Sequence, residues 1–327
     1  MALESASPPV QEIADAAPQK RLFSRSTRKA MWFYAFISPW LIGFLLLGLG
    51  AMVIGFLAAF TNYNGLNIDS MRWVGTRWFE RIFEDDDAIL AVSRTIIWTG
   101  LNVPIWLFVS LALALILDQA IRAKGFFRTA FYLPSIIPIV ATVWIWRMIF
   151  NQNNGLLNSI LSLFTGEPVA QIFLGGDSAI YSLTTISVWA GIGSGMIIFL
   201  AGLQGIPDSL KEAARIDGAG PLMVLRNVTI PLLTPVIFFQ LVLSIIGSLQ
   251  QFAIPMILAG GELGSQPPDS TYLYMVHVNL QAFARQRFAY AMALVWVMFA
   301  FIILLTFIVF FTARYWVYYE VEQNDGD

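Results

Sequence analysis

Cysteine is absent from the 327 residues and histidine occurs once, at His277. The first absence rules out disulfides and thiolate metal sites, and one imidazole cannot build a histidine cluster. Charge is scarce too. Only 12% of the residues are Asp, Glu, Lys or Arg, about half of the ~25% found in soluble domains. Hydrophobic residues make up 57%. A chain so poor in charge cannot cover itself with water-facing side chains, so much of its surface must face lipid. No phosphate-binding loop of the G-x-x-x-x-G-K-S/T type occurs, so ATP cannot be bound in that way. No cleavable leader is expected, because the first apolar run is too long and lacks a small-residue cleavage site at its end.

What the chain does have is apolar runs. Six of them, roughly 32–60, 95–117, 129–150, 181–204, 230–258 and 289–311, reach the ~20 residues needed to cross the hydrocarbon core. The first is long enough to tilt or to project beyond the bilayer. Arg147 is the one charged residue within these runs. Pro39, Pro104, Pro134, Pro138, Pro235 and Pro255 interrupt them, and kinks are expected whose freed carbonyls are satisfied by neighbouring helices. The expected fold class is an all-α polytopic membrane protein with six transmembrane helices.

Lys and Arg set the sidedness. Twelve lie in the N-terminal tail, the second and fourth loops and the C-tail; six lie in the opposite loops, and the loop after the third run has none. The first opposite loop is also acidic, with Glu84, Asp85, Asp86 and Asp87 in a row. Both termini are therefore expected in the cytoplasm. The expected domains are a disordered tail over 1–29, a first helix with the acidic extracytoplasmic loop over 30–94, a transmembrane domain over 95–311 and a cytoplasmic C-tail over 312–327. Aromatic residues at helix exits, such as Trp144 and Tyr315, read as interface anchors.

Proton- or sodium-coupled carriers usually bury an Asp, Glu or His within a span, and these runs bury no carboxylate. The fourth loop is the informative one. Pro207 can open a helix there and Gly218 can close it; a second short helix can open at Pro221, and Pro231 then starts the fifth span. Leu222, Met223, Val224 and Leu225 run consecutively, so no face of that turn is polar, and apolar surface outside the bilayer wants a partner. Leu210, Ala213 and Ala214 share a face of the first helix, with Glu212 beside them. Two readings stand at this point: a docking element for another protein, or a loop packed onto its own helices.

Glu212-Ala213-Ala214, Asp217-Gly218-Ala219 and Thr229-Ile230-Pro231 with Pro235 beyond resemble the EAA loop, here 205–231, of binding-protein-dependent ABC importer permeases. Leu200-Ala-Gly-Leu-Gln-Gly-Ile-Pro207, Tyr132-Leu-Pro134, Trp146 and Asn154-Gly155-Leu156-Leu157-Asn158 are similar to the sugar-importer branch, of maltose and glycerol-phosphate type, and to its first permease. Leu225 and Val228 stand where many relatives have Phe and Ile, and Gly260-Gly261-Glu262 where relatives often show Gly-Gly-Pro. The resemblance implies a type I ABC importer permease fold in a bacterial or archaeal inner membrane. It also implies a heterodimer with a second permease, two ATP-binding cassette ATPases, an extracytoplasmic sugar-binding protein and no catalysis by this chain. ATP would be bound by the partner subunits. Glu212, Ala213, Ala214, Asp217, Gly218, Leu222 and Leu225 would meet the ATPase. No other cofactor, no metal and no nucleic acid is expected; membrane lipid is.

A carbohydrate path must be polar without charge. The fifth run carries Gln240, Ser244, Ser248 and Gln251 at spacings of four, four and three, one helix face. The fourth carries Ser187, Trp189 and a Gly191-x-Gly193-x-Gly195 series. These residues either line a path or serve as hydrogen-bonding and close-packing contacts between helices. Rival functions are an ATP-independent secondary carrier or channel, and a membrane enzyme or assembly factor; the latter would need a catalytic cluster, and none is visible.

Overall fold

The computed structural model describes residues 25–69, 71–119, 122–167, 173–261 and 264–318, apart from the side chains of 25–28. Most of the tail expected over 1–29, and the end of the C-tail expected over 312–327, lie outside the described residues. Among the described residues the chain is helical, with one isolated bridge between Thr61 and Trp73. It divides into two units, residues 1–54 and 55–327. The first unit contains α1 (Arg25–Gly43), a π-helical turn (Phe44–Leu49) and the start of α2 (Gly50–Ala58).

The second unit holds the other elements. They are α3 (Arg77–Ile82), α4 (Asp86–Asp118), α5 (Lys124–Ile136), α6 (Ile139–Ile149), α7 (Leu156–Thr165) and α8 (Ala179–Gln204). The series continues with α9 (Asp208–Ile216), α10 (Pro221–Val224), α11 (Ile230–Leu249), α12 (Ala253–Leu258), α13 (Tyr274–Asn279) and α14 (Phe288–Ala313). Five helical stretches are long and apolar enough to span a membrane: Lys29–Ala58, Asp86–Asp118, Gly176–Gln204, Pro221–Leu249 and Phe288–Ala313. The bent pair α5–α6 supplies a sixth crossing if both halves count as one.

Three boundaries differ from the sequence reading, each for a local reason. The kink expected in the run 129–150 is a full break: α5 and α6 meet at 99°. Ile137, before Pro138, is extended at φ −67° and ψ 130°, because a following proline disfavours the helical region. The second span begins at Asp86, not near residue 95. Asp85 caps it, its side chain accepting from the Ala88 N–H at 3.3 Å, and Asp86 and Asp87 in the first turn suit the helix dipole. The acidic run is thus the start of a helix. Finally, Pro231 does not start the fifth span. The helix runs from Pro221 through a π-turn (Leu225–Thr229) into α11. It then breaks at Gln250–Phe252 before α12, so the run 230–258 is also broken. A proline inside a helix clashes with the carbonyl four residues back, and the wider π-turn, closed by Ile230 N–H to Leu225 O, gives Pro231 room.

The bundle is organised around α8. It lies parallel to α4, with Leu183 and Ile186 in one buried cluster with Trp98, and Phe199 and Leu203 in another with Ala114 and Leu117. A Cβ added to Gly191 would lie 2.7 Å from the Trp106 indole nitrogen, and one on Gly195 would lie 2.7 Å from Ser110 Oγ. A Cβ on Gly193 would meet the backbone of α5, 2.5 Å from Phe131 O and 2.6 Å from Tyr132 Cα. The glycine series therefore lets α4 and α5 approach α8 at backbone distance, as small residues do at membrane helix contacts.

Gly193→Ala has no flexible side chain to displace, and it is expected to cost about 1–3 kcal/mol, the range for overpacking a filled core. Gly100→Ala, where a Cβ meets nothing within 4 Å, is expected to gain up to about 1 kcal/mol of helix propensity. Thermal unfolding of the detergent-solubilised protein should show midpoint shifts of opposite sign; equal shifts would contradict this packing.

Candidate functional site

Two features stand out. The first is the loop between α8 and α11. Pro207, extended at ψ 129°, precedes α9. Gly218 sits at φ +86° with open space around its missing side chain, so the left-handed backbone alone calls for glycine. The helix end closes with Ala219 N–H to Ala214 O at 2.9 Å, a Schellman-type contact. Lys211 pairs with Asp208 at 3.3 Å. Glu212, Ala213 and Asp217 are exposed, and Ala214 is half-buried. Of the apolar run, Val224 turns inward and Leu225 is half-buried, while Leu222 and Met223 point outward, at 77% and 56% exposure. Ile216, which the sequence reading passed over, is 86% exposed; its place at the last turn of α9, beside Gly218, was the available signal.

The second feature is a cavity of about 340 Å³ among α4, α8 and α11. Ser187, Gln240, Ser244, Ser248 and Gln251 all line it. Gln251 does so from the break after α11. Gln240 and Ser248 are buried and also join helices: Gln240 Nε2 donates to Gly195 O at 3.4 Å, and Asn102 Nδ2 donates to Ser248 Oγ at 3.1 Å. Ser244 Oγ donates to Leu241 O in its own helix. Trp189 is elsewhere. It stands edge-on to Trp146 at 5.7 Å in an apolar cavity of about 620 Å³ beside Pro134 and Tyr181. The α4 wall of Trp98, Asn102 and Trp106 was missed by the sequence reading, although its spacing of four was present.

The whole of residues 88–317 matches the family of binding-protein-dependent transport system inner membrane components. The chain belongs to this family. It is 39% identical over 306 residues to the probable ABC transporter permease protein YesP of Bacillus subtilis, covering 92% of this chain and 96% of that one. It is 27% identical over 286 residues to the probable starch degradation products transport system permease AmyD of Thermoanaerobacterium thermosulfurigenes, covering 86% and 93%. Among solved structures, a bacterial ABC transporter involved in import of the acidic polysaccharide alginate shares the fold. Its TM-score is 0.73 at 22% identity, over 88% of this chain and 97% of that one. The permease is thus a component of a transport system, with the all-helical fold of ABC importer permeases.

The permease also holds a buried polar junction that sequence could not supply. His277 is fully buried. Its Nδ1 lies 2.9 Å from the Tyr272 hydroxyl and its Nε2 3.7 Å from Asp85 Oδ2. Tyr290 donates to the same carboxylate at 2.7 Å, and Arg285 pairs with Asp87 at 3.4 Å. Asp85 therefore joins the start of α4, the segment around α13 and the start of α14. Burial pushes the imidazole below its ordinary value, outweighing the pull of Asp85 and Asp87. Burial works to raise the Asp85 carboxyl, but the Tyr290 hydroxyl, His277 and the Ala88 N–H together hold it low. Burial, with Asp87, pushes the Tyr272 phenol up to about 12.

The linkage has one sign for both partners. A histidine depressed on folding stabilises above its unfolded value of about 6.5 and loses that contribution as pH falls through the folded one. Asp85, also depressed, contributes above about 3.9 and loses it in stronger acid. Amide hydrogen exchange across 272–290, corrected for intrinsic rates, should accelerate as pH falls below about 6.5, and His277→Gln should flatten that dependence. An unchanged profile in the variant would remove His277 as its source.

Proposed function

We propose that this permease is the membrane-spanning subunit of an ATP-driven importer that translocates a carbohydrate delivered by an extracytoplasmic binding protein. It would pair with a second permease and stand over two ATP-binding cassette ATPases. It would sit in the inner membrane with both termini in the cytoplasm, as the twelve-to-six basic bias implies. Carbohydrate is favoured by the uncharged, hydroxyl- and amide-lined cavity and by the likeness to the permease named for starch degradation products.

The observation that carries this reading is the α9–α10 loop. Leu222, Met223 and Ile216 stand exposed outside the candidate spans or at the margin of one, on a turn locked by Gly218. Burying such a side chain is worth about 1.5–3 kcal/mol, so three of them hold a partner surface far better than they face water. Glu212, exposed and without an ion pair among the described residues, then sets register: an exposed pair contributes about 0–1 kcal/mol, but losing a buried interfacial one costs about 2–5. Glu212, Ala213, Ala214, Asp217, Gly218, Leu222 and Leu225 would form the contact, with Ile216 and Met223 added. Gln240, Ser244, Ser248, Gln251 and Ser187 would line the path, and Trp189 would stand behind it.

Three variants test the loop: Leu222→Asp, Glu212→Ala and Gly218→Val. Leu222→Asp should abolish ATPase co-purification. Glu212→Ala and Gly218→Val should still insert but lose most ATP hydrolysis stimulated by loaded binding protein in reconstituted vesicles. Full co-purification and full stimulation in all three would remove the loop as the coupling element. Uptake that survives vanadate and deletion of every ATPase gene would favour an ATP-independent carrier instead.

A further inference from the structure

The cavity between α8 and α11 is closed by a third wall that the path residues do not account for. Trp98, Asn102 and Trp106 follow one another at intervals of four on α4, one face of that helix, and all three line the cavity. Trp106 is seated by the backbone of α8: a side chain at Gly191 or Gly195 would collide with its indole at 2.7 Å. Asn102 is 6% exposed and Trp98 1%. One end of the Asn102 amide is occupied by Ser248 Oγ at 3.1 Å. Its other end, Oδ1, and the Trp98 indole N–H have no hydrogen-bond partner among the described residues.

An unmet buried acceptor and an unmet buried donor in one wall are costly, and they favour an occupant that meets both. A carboxylate only accepts and an ammonium only donates, whereas a hydroxyl does both. None of the residues lining the cavity carries a charge, and a charge brought there would lack the partner that intramembrane charges require. The two indoles add flat apolar walls.

We propose that Trp98, Asn102 and Trp106 form the selectivity wall of the cargo route, with Asn102 and Trp98 recognising an uncharged, hydroxyl-rich solute and the wall discriminating against anionic cargo. This rests on the reading of the cavity as the route, and it adds a helix and a charge class to it.

The absence of cysteine makes the test direct. Asn102→Cys, Trp106→Cys, Ser244→Cys and Ser248→Cys are made singly in the full transporter in native membrane vesicles. Each is exposed to uncharged methyl methanethiosulfonate and to the anionic sulfonatoethyl reagent, at rest and after trapping with ATP and vanadate. Rates are divided by those with free mercaptoethanol. Position 102, or 106 should the first variant fail to insert, is expected to react in at least one state, with a preference of at least tenfold for the uncharged reagent. A smaller preference overturns the charge selectivity. Silence at 102 and 106 while 244 and 248 react overturns this wall and leaves the route standing; silence at all four overturns the route itself.

Discussion

Three glycines of one transmembrane helix, Gly191 and Gly195 on the face toward α4 and Gly193 on the face toward α5, decide how near its neighbours can stand. With no Cβ at 191, 193 and 195, the indole of Trp106, the backbone of α5 and the hydroxyl of Ser110 press directly onto α8. In a bilayer no hydrophobic drive pushes helices together, so van der Waals contact at this distance supplies the attraction. The placement of the rest follows. Because α4 and α5 are drawn onto α8, the polar face of α11 closes a space of about 340 Å³ rather than a helix-wide gap. The bend at Ile137 then leaves the larger apolar space on the other side of α8. A bulkier α8 would change both spaces at once.

The far end of α4 is held by a different force. Asp85 serves three partners with one carboxylate: the Ala88 N–H, the Tyr290 hydroxyl and the nearby His277. A carboxylate with several donors stays ionised even when part-buried, and the neutral imidazole beside it avoids the cost of a second buried charge. The acidic run that seemed an isolated loop feature is thus half structural, in Asp85 and Asp87. All four acidic residues, with Arg81, Arg285 and Arg287, also line a charged cleft of about 470 Å³.

What could be read from sequence follows the range of the interaction that fixes each feature. The break at Ile137 is local, written in Pro138, where a kink was expected; its size, 99°, was not legible in the sequence. Gly218 and the loop geometry are also local, and the left-handed turn falls where glycine ends the helix. The polar face of α11 is a periodicity within one helix, and it does face a cavity, although Gln251 reaches it from beyond the helix end. Ser187 and Trp189, two apart on one helix, point about 200° apart and line different cavities. Trp98, Asn102 and Trp106 were readable by the same periodicity and were hidden only because one amide in an apolar run draws little notice. His277 was not readable at all. Its partner Asp85 lies in another element, and no local pattern joins the two.

The π-turn ahead of Pro231 links the two candidate sites mechanically. Without it, two separate helices would meet at a flexible joint below the membrane, and a push on α10 would be absorbed there. With it, one helical rod runs from Pro221 at the loop to Leu249 at the cavity break. The carbonyl that Pro235 cannot satisfy is met locally, since Thr234 Oγ1 donates to Pro231 O at 2.6 Å. The same hydroxyl accepts from the Tyr318 N–H at 2.8 Å, tying the end of α14 to the base of the rod, and Phe238 packs with Ala313 and Val317 beside it. On the proposed reading, a displacement of the loop would carry α11 and the end of α14 with it, and the helix would yield at the break at Gln250–Phe252. Gln251 lies in that break and lines the cavity. On the same reading, Gln251 would meet the cargo route where the helix is already interrupted.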